Sequence, residues 1–472
     1  MVAQNNIDFE SAKASIVDFI YSTKNTMSRV ILFLAIAGMI IDAWDFSAFS
    51  IVTFSYVHTF HPTTFMLGLS VAAVNIGALF GGVFGGYLTD KVGRKKMFIT
   101  NMILFVVMAI LSAASANMQE FIAFRVVLGF ALGADVATGF VYLFEFTERK
   151  QRINYSSAWA YIWSLMFLVA ILVVFILISL IGSSIYLWRI IMVLGGVFAF
   201  IILLLRTLVP ESALWFAYKG QFKDAKAVIK KAYGVDLSSV PDVNMSVKKT
   251  VNIGDLGRIF KLGYNRYFVH GWSQSILVGF TFWGFSFYAP LLFASLHLTS
   301  NIHTTLLYDT IIWTAAVIGA IVSVFLIRAI GIKHVTTSSS FIMALLFILI
   351  YLETRKLLPL SVVLPSAILI NFLLFLGPMS FFTIVNPGVA SKYRGIANGW
   401  TYSINKSTAV IAGFFGAAII TAIGLSGNTM FLFILALVAG VISATIGINS
   451  LKTDPAEVER KLKERESVKG PD

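Results

Sequence analysis

Cysteine is absent from all 472 residues, which excludes a disulfide framework and any thiolate metal site. Charge is scarce as well. Asp, Glu, Lys and Arg make up 12% of the chain, whereas a soluble globular domain carries about 25%. No phosphate-cradling loop is present: Gly77, Gly81 and Gly85 are not followed by Lys-Ser/Thr, which argues against ATP-driven chemistry. The histidines lack metal-ligand spacing. His58, His61, His297 and His303 fall in expected outer loops, and His270, at the start of an apolar run, reads as a solvated cap. No metal and no cofactor are therefore expected. A convergent nucleophile and base are also missing, so the chain does not read as an enzyme. Nor does it show a cleavable signal, because residues 1–27 are polar and of mixed charge and the first apolar run is already full length.

What the chain has is hydrocarbon. Apolar residues make up 58% of it, and mean hydropathy is +0.85. Runs of about 20 apolar residues recur, as in a polytopic helical membrane protein embedded in a lipid bilayer. The weak alternating segments of an outer-membrane barrel are not seen. Twelve spans are expected at 28–57, 65–89, 96–117, 119–147, 153–181, 186–208, 265–294, 304–328, 333–353, 359–386, 394–423 and 427–449. They divide the chain into a segment 1–27, a six-helix half 28–208, a polar linker 209–264 with short amphipathic helices, a second half 265–449 and a charged tail 450–472. The fold class is thus all-α, with two related halves and a site expected at the midplane between them.

The net charge of +13 follows orientation rules and does not point to nucleic acid. Lys91, Arg94, Lys95, Lys96, Arg149, Lys150, Arg152, Arg328, Lys333, Lys392 and Arg394 cluster in loops on one side. Few basic residues beyond Arg189, Arg355 and Lys356 fall on the other. Both termini are accordingly expected in the cytoplasm, in a plasma or inner membrane, with the chain a monomer.

Charges inside apolar spans single out functional candidates, because each is expensive in hydrocarbon. Asp42 and Asp45 lie three residues apart in the first span and share a helix face. The fourth span carries Arg125, Asp135 and Glu145 along a flank thinned by Gly129, Gly133 and Gly139. Asp45, mid-span, reads as a titrating carboxylate, with Arg125 as its partner and Asp42 and Asp135 as further proton-coupling residues. Lys406 lies near the middle of the eleventh span, close to Tyr402. Trp283 and Tyr288 on the seventh span and Trp163 on the fifth supply aromatic walls. A cation among aromatic walls fits a small organic anion. Asp90, Gly93 and Arg94, in the loop after the second span, can latch helix ends together. Glu145, Arg149 and Arg394 belong to the same cytosolic gate.

GGYLTDKVGRKK (85–96) resembles the loop signature of the major facilitator superfamily, G-x-x-x-D-R/K-x-G-R/K-K. VPESALWFAYKGQFKDA (209–225) resembles the element after the sixth helix of its sugar and metabolite porters. DAWDF (42–46), Gly133-Ala134-Asp135 with Glu145, and RGIANGWTYSINKSTAV (394–410) resemble the phosphate:proton symporter branch. The resemblance implies proton-coupled symport by alternating access, with Lys406 anchoring an anion. The seventh span departs from both branches. Phe280 and Gly284 replace the Trp and Asp of phosphate symporters, and Leu277, Val278 and Trp283 replace the Gln, Gln and Asn of sugar porters. The first expectation is therefore a small anionic organic metabolite carried with a proton. A sugar:proton symporter, or a uniporter or exchanger on the same fold, is the alternative. The loop between Ile327 and Val335 lacks the latch Asp and reads as a degenerate copy.

Overall fold

The computed structural model describes residues 2–23, 28–146, 152–182, 185–237, 240, 244, 265–286, 302–389, 394–449 and 460. The first half comprises α2 (Ser28–Ile51), α3 (Thr53–Phe60), α4 (Thr64–Val92), α5 (Arg94–Ala114), α6 (Met118–Phe146), α7 (Arg152–Ile181) and α8 (Leu187–Thr207). The expected first span is in fact two helices. The backbone leaves helical geometry at Val52 (φ −89°, ψ 11°), and α3 turns so that Tyr56 stacks on Phe49 with ring centroids 5.0 Å apart.

α6 is the pivot of this half. Its apolar window is 83% buried, against 28% for α7, so α6 is sheathed by protein where α7 faces lipid. Glycines explain how it fits. Gly77, Gly81 and Gly85 of α4 interleave with Gly129 and Gly133 of α6, and a Cβ at any of them would overlap the opposite backbone. The other flank of α4 meets the second half through Gly82 and Gly86. In hydrocarbon there is no apolar driving force between helices, so this close backbone approach supplies the packing energy.

The linker folds as α9 (Ala213–Tyr218) and α10 (Phe222–Tyr233). Ser212 caps α9 by accepting from the Trp215 amide, and Gly234 ends α10 at φ 72°. Segment 1–27, read from sequence as merely polar, contains α1 (Val2–Ser22). Ala12, Ile16 and Ile20, spaced by four, form its buried stripe against Leu214, Ala217 and Ile229. α1 and the linker helices thus mark one end of the bundle, the linker end.

The second half comprises α11 (Asn265–Thr281), continued by a π turn Phe282–Ser286, then α12 (Ile302–Ile330), α13 (Ile332–Thr354) and α14 (Val363–Leu376). After these come a short α15 (Phe381–Val385) and α16 (Arg394–Thr445). The tenth span breaks at Gly377-Pro378, because Pro378 has no amide to donate and its ring crowds the preceding turn. α16 joins the eleventh and twelfth spans across Gly424 (φ 69°, ψ 173°). Among the described residues nine helices are long and apolar enough to cross a membrane. α2, α11 and the first limb of α16 take the remaining three of the twelve positions.

The halves repeat more faithfully than their residues suggest. Gly93 (φ 112°) turns α4 into α5, and Gly331 (φ 88°) turns α12 into α13. Glu211, four residues past the end of α8, sits against Gly93, and Asn449, four past the end of α16, sits against Gly331.

Candidate functional site

Asp42 and Asp45 point from α2 into the protein, and both are buried. Arg125 of α6 donates to Asp45 Oδ1 through Nη1 at 2.5 Å. Its guanidinium lies over the Phe49 ring, 4.4 Å from the centroid. The pair is incompletely satisfied: Asp45 Oδ2 and Arg125 Nε are buried without a hydrogen-bond partner. Desolvating two charges costs several kcal/mol each, and one bond offsets only part of that.

Asp42 has neutral partners instead. Trp163 of α7 donates its indole N–H to Oδ2 at 2.9 Å, and Tyr402 of α16 donates its hydroxyl to Oδ1 at 3.2 Å. The second of these bonds joins the two halves. Next to it lies Lys406, also buried, with Nζ 4.0 Å from the Phe46 ring centroid, 5.0 Å from Tyr402 and 5.8 Å from Trp283. Among the described residues no carboxylate lies within ion-pair distance of Lys406; Asp42 and Asp45 are the anions that act on it. Phe46 and Trp283 meet edge to face at 4.9 Å, and Trp163, Phe282 and Trp313 continue the aromatic lining.

Asp135, expected as a further proton-coupling residue, is ion-paired not with Arg125 but with an arginine the sequence reading did not single out. Ten residues of helix separate Arg125 from Asp135, about 15 Å, and at that depth α8 presents Arg206. Arg206 donates to both oxygens of Asp135, at 2.5 and 3.0 Å, and to the Leu34 carbonyl at 3.1 Å. The bidentate fork is fully occupied and lies over the Phe98 ring. Gly38 leaves the space for it, since a Cβ there would overlap Asp135. Sequence reasoning missed Arg206 because a lone arginine near the end of an apolar run looks like a boundary charge.

The latch residues converge at the linker end. Arg94 donates to Asp90 at 3.0 Å, to both oxygens of Glu145 at 3.0 and 2.8 Å and to the Thr89 carbonyl at 3.0 Å. Asp90 Oδ2 has no hydrogen-bond partner. It faces Gly395 in the first turn of α16, 2.5 Å from where a Cβ would sit, so the carboxylate of one half meets the positive helix end of the other. Glu211, which the sequence reading gave no role, accepts from the amides of Arg94 (2.9 Å) and Lys95 (3.1 Å). Burial raises its pKa, and the amide bonds from Ser212 and Lys95 oppose the rise. Gly93 is required here, both by its positive φ and because a Cβ would lie 2.5 Å from Glu211 Oε2. Tyr288, Arg149 and the side chain of Arg394 lie outside the described residues.

His270 corrects one expectation. It is buried rather than a solvated cap, because the start of α11 packs inside the second half. Its Nε2 meets the hydroxyls of Thr336 (3.1 Å) and Ser443 (3.0 Å).

A family described as "Sugar (and other) transporter" matches residues 14–458. The chain belongs to this family. Its members are membrane transporters of the major facilitator fold, not enzymes. The arabinose-proton symporter of Bacillus subtilis is 25% identical over 419 residues, covering 84% of this chain and 88% of that protein. The galactose-proton symporter of Escherichia coli is 35% identical over 164 residues, 34% of this chain and 33% of that one. Among solved structures, the proton:xylose symporter XylE superposes with a TM-score of 0.77 at 16% identity, covering 92% of this chain and 99% of that one. At that identity the superposition speaks for the fold. These relatives back the sugar alternative better than the anionic metabolite expected first.

Proposed function

We propose that the protein is a proton-coupled symporter of a small neutral hydroxylated metabolite, a sugar or a close analogue, in the plasma or inner membrane. The carrying observation is the Asp45–Arg125 pair, deeply buried yet left with an unpartnered atom on each side. A carboxylate that must gain and lose a proton needs a cation near enough to hold it charged and too weakly bound to hold it permanently. Asp135, locked by a two-bond fork, lacks that freedom and serves as a structural tie.

Charge balance supports a neutral substrate. Asp42 and Asp45 oppose Arg125 and Lys406, so the deprotonated site holds no surplus cation. A uniform anion trap would need one. The sugar-proton symporters among the relatives support the same reading. The linker end, with its basic loops, faces the cytoplasm. There Arg94 ties Asp90 of α4 to Glu145 of α6, and Asp90 faces the start of α16 and keeps the inner side closed. Protonating Asp45 frees Arg125 and leaves the site with one positive charge. The substrate occupies the seam between halves, and the molecule then opens inward.

A second reading keeps one observation. Lys406 has no ion-paired carboxylate among the described residues, and a niacin transporter of Acinetobacter baylyi is 26% identical over 194 residues. On that reading the substrate is a monocarboxylate bound to Lys406. Current across the membrane separates the two. One proton with a neutral sugar carries one positive charge per cycle, and one proton with a monocarboxylate carries none. In proteoliposomes at equal pH, an inside-negative potential should drive sugar uptake, and it should leave monocarboxylate uptake unmoved. Potential-independent uptake of a carboxylate, with no sugar transported, would favour the second reading.

A further inference from the structure

Asp42 is the second buried carboxylate of α2 and lies at the seam between the halves. It is buried, and its two hydrogen bonds come from uncharged donors on opposite halves, Trp163 on α7 and Tyr402 on α16. The charged groups that act across it are Asp45, Asp135 and Lys406. Each of its oxygens accepts one bond among the described residues and can accept another. A carboxylate takes hydroxyl donors in preference to other anions. Placed between an indole N–H and a phenol O–H, it presents the acceptor chemistry that a polyol would use.

We propose that Asp42 is a substrate-binding residue, and that the substrate's hydroxyls displace Tyr402 from it. This rests on the neutral hydroxylated substrate proposed above. The Tyr402–Asp42 bond ties the halves together when the site is empty. A sugar hydroxyl that takes the place of the phenol satisfies Asp42 from within the seam and releases α16. Occupancy and separation of the halves are then one event, which is what a symporter needs if the empty, protonated carrier is not to leak.

The test uses the full-length protein in proteoliposomes, with a panel of aldopentoses and aldohexoses as probes. Counterflow at symmetric pH measures binding and exchange without a proton gradient. D42N should raise the counterflow KM of the preferred sugar about tenfold or more, the loss expected for a hydrogen bond to a charged group. The maximal rate should change less than KM. One monodeoxy analogue of the sugar should lose a similar factor in the wild type, and that loss should vanish in D42N. Y402F, which removes only the competing donor, should leave KM unchanged or lower it. If Asp42 were only a tie between the halves, D42N and Y402F would act alike and no deoxy analogue would be selectively affected; that result overturns the proposal. Should D42N fail to fold, a raised KM in Y402F overturns it, and an unchanged or lowered KM together with a deoxy-analogue loss in the wild type supports it. If the wild type carries no sugar of the panel, the neutral-substrate reading fails instead. If it carries one and D42N binds it normally, only the role of Asp42 fails.

Discussion

Two buried arginines hold their carboxylates with different numbers of bonds. Arg125 gives Asp45 one bond, and Arg206 gives Asp135 two and spends its Nε on a backbone carbonyl. Removing Arg206 strands a buried carboxylate. R206M should cost about 3–5 kcal/mol of stability, read as a fall in thermal melting of purified protein. R206M/D135L should recover part of it, since a well-packed apolar pair can replace a buried ion pair. A pH signature belongs to Glu211. Burial raises its folded pKa above the ordinary 4.5, so the folded state holds the proton more tightly than the unfolded one. Its contribution to stability is therefore full below about 4.5 and declines as pH rises through the folded value. The melting temperature of the wild type minus that of E211Q should fall over that window, and a flat difference would contradict the direction. The Arg125–Asp45 pairing was legible, because both stand out as charges inside apolar spans; the Arg206–Asp135 pairing was not. Partner choice depends on depth and helix rotation, and Asp135 lies equally far from any charge along its own helix.

Helices were legible wherever apolar runs exceeded about 20 residues, and their breaks were legible only where chemistry marks them. Gly377-Pro378 carried such a mark. Val52 did not: it is a β-branched residue in an apolar stretch, and the bend there is set by the packing of Tyr56. The stripe of α1 is spaced by four, yet its polar remainder hid it. The glycine flanks of α4 were visible as a pattern, but the sequence could not say that one flank meets α6 and the other α16. The two flanks should respond differently to added bulk. G81V forces α4 off the Phe130 backbone inside one half and should destabilise by about 1–3 kcal/mol or more. G399V props α16 off Gly82 at the seam between halves. With no native cysteine, a single S403C reporter at that seam gives a clean readout. Its maleimide labelling should be slow alone and about tenfold faster with G399V, since about 1.4 kcal/mol of crowding shifts a two-state equilibrium by that factor. Equal rates would mean that the seam does not open there.

At the scale of the whole molecule the chain is two copies of one plan with different chemistry in each. The loop after α12 looked degenerate because Arg328 stands where the first half has Asp90. Its backbone is nevertheless conserved in form, with Gly331 turning and Asn449 in the place of Glu211. The charged network of the first half has a neutral counterpart in the second, where His270, Thr336 and Ser443 share hydrogen bonds. The proposed proton carrier, Asp45, lies in the first half, and the second half contributes Lys406 and Tyr402 to the seam. The loop motif made the superfamily legible. The substrate was not, because Lys406 alone suggests an anion, and Asp42 and Asp45, the carboxylates that act on it, come from a distant part of the chain. Everything then turns on whether Asp45 carries the proton. The direct measurement is sugar uptake by proteoliposomes under an imposed pH gradient, run beside counterflow, for wild type and D45N. Wild type should accumulate sugar above the outside concentration, and D45N should only equilibrate it while counterflow persists. Accumulation by D45N against its gradient would contradict the assignment.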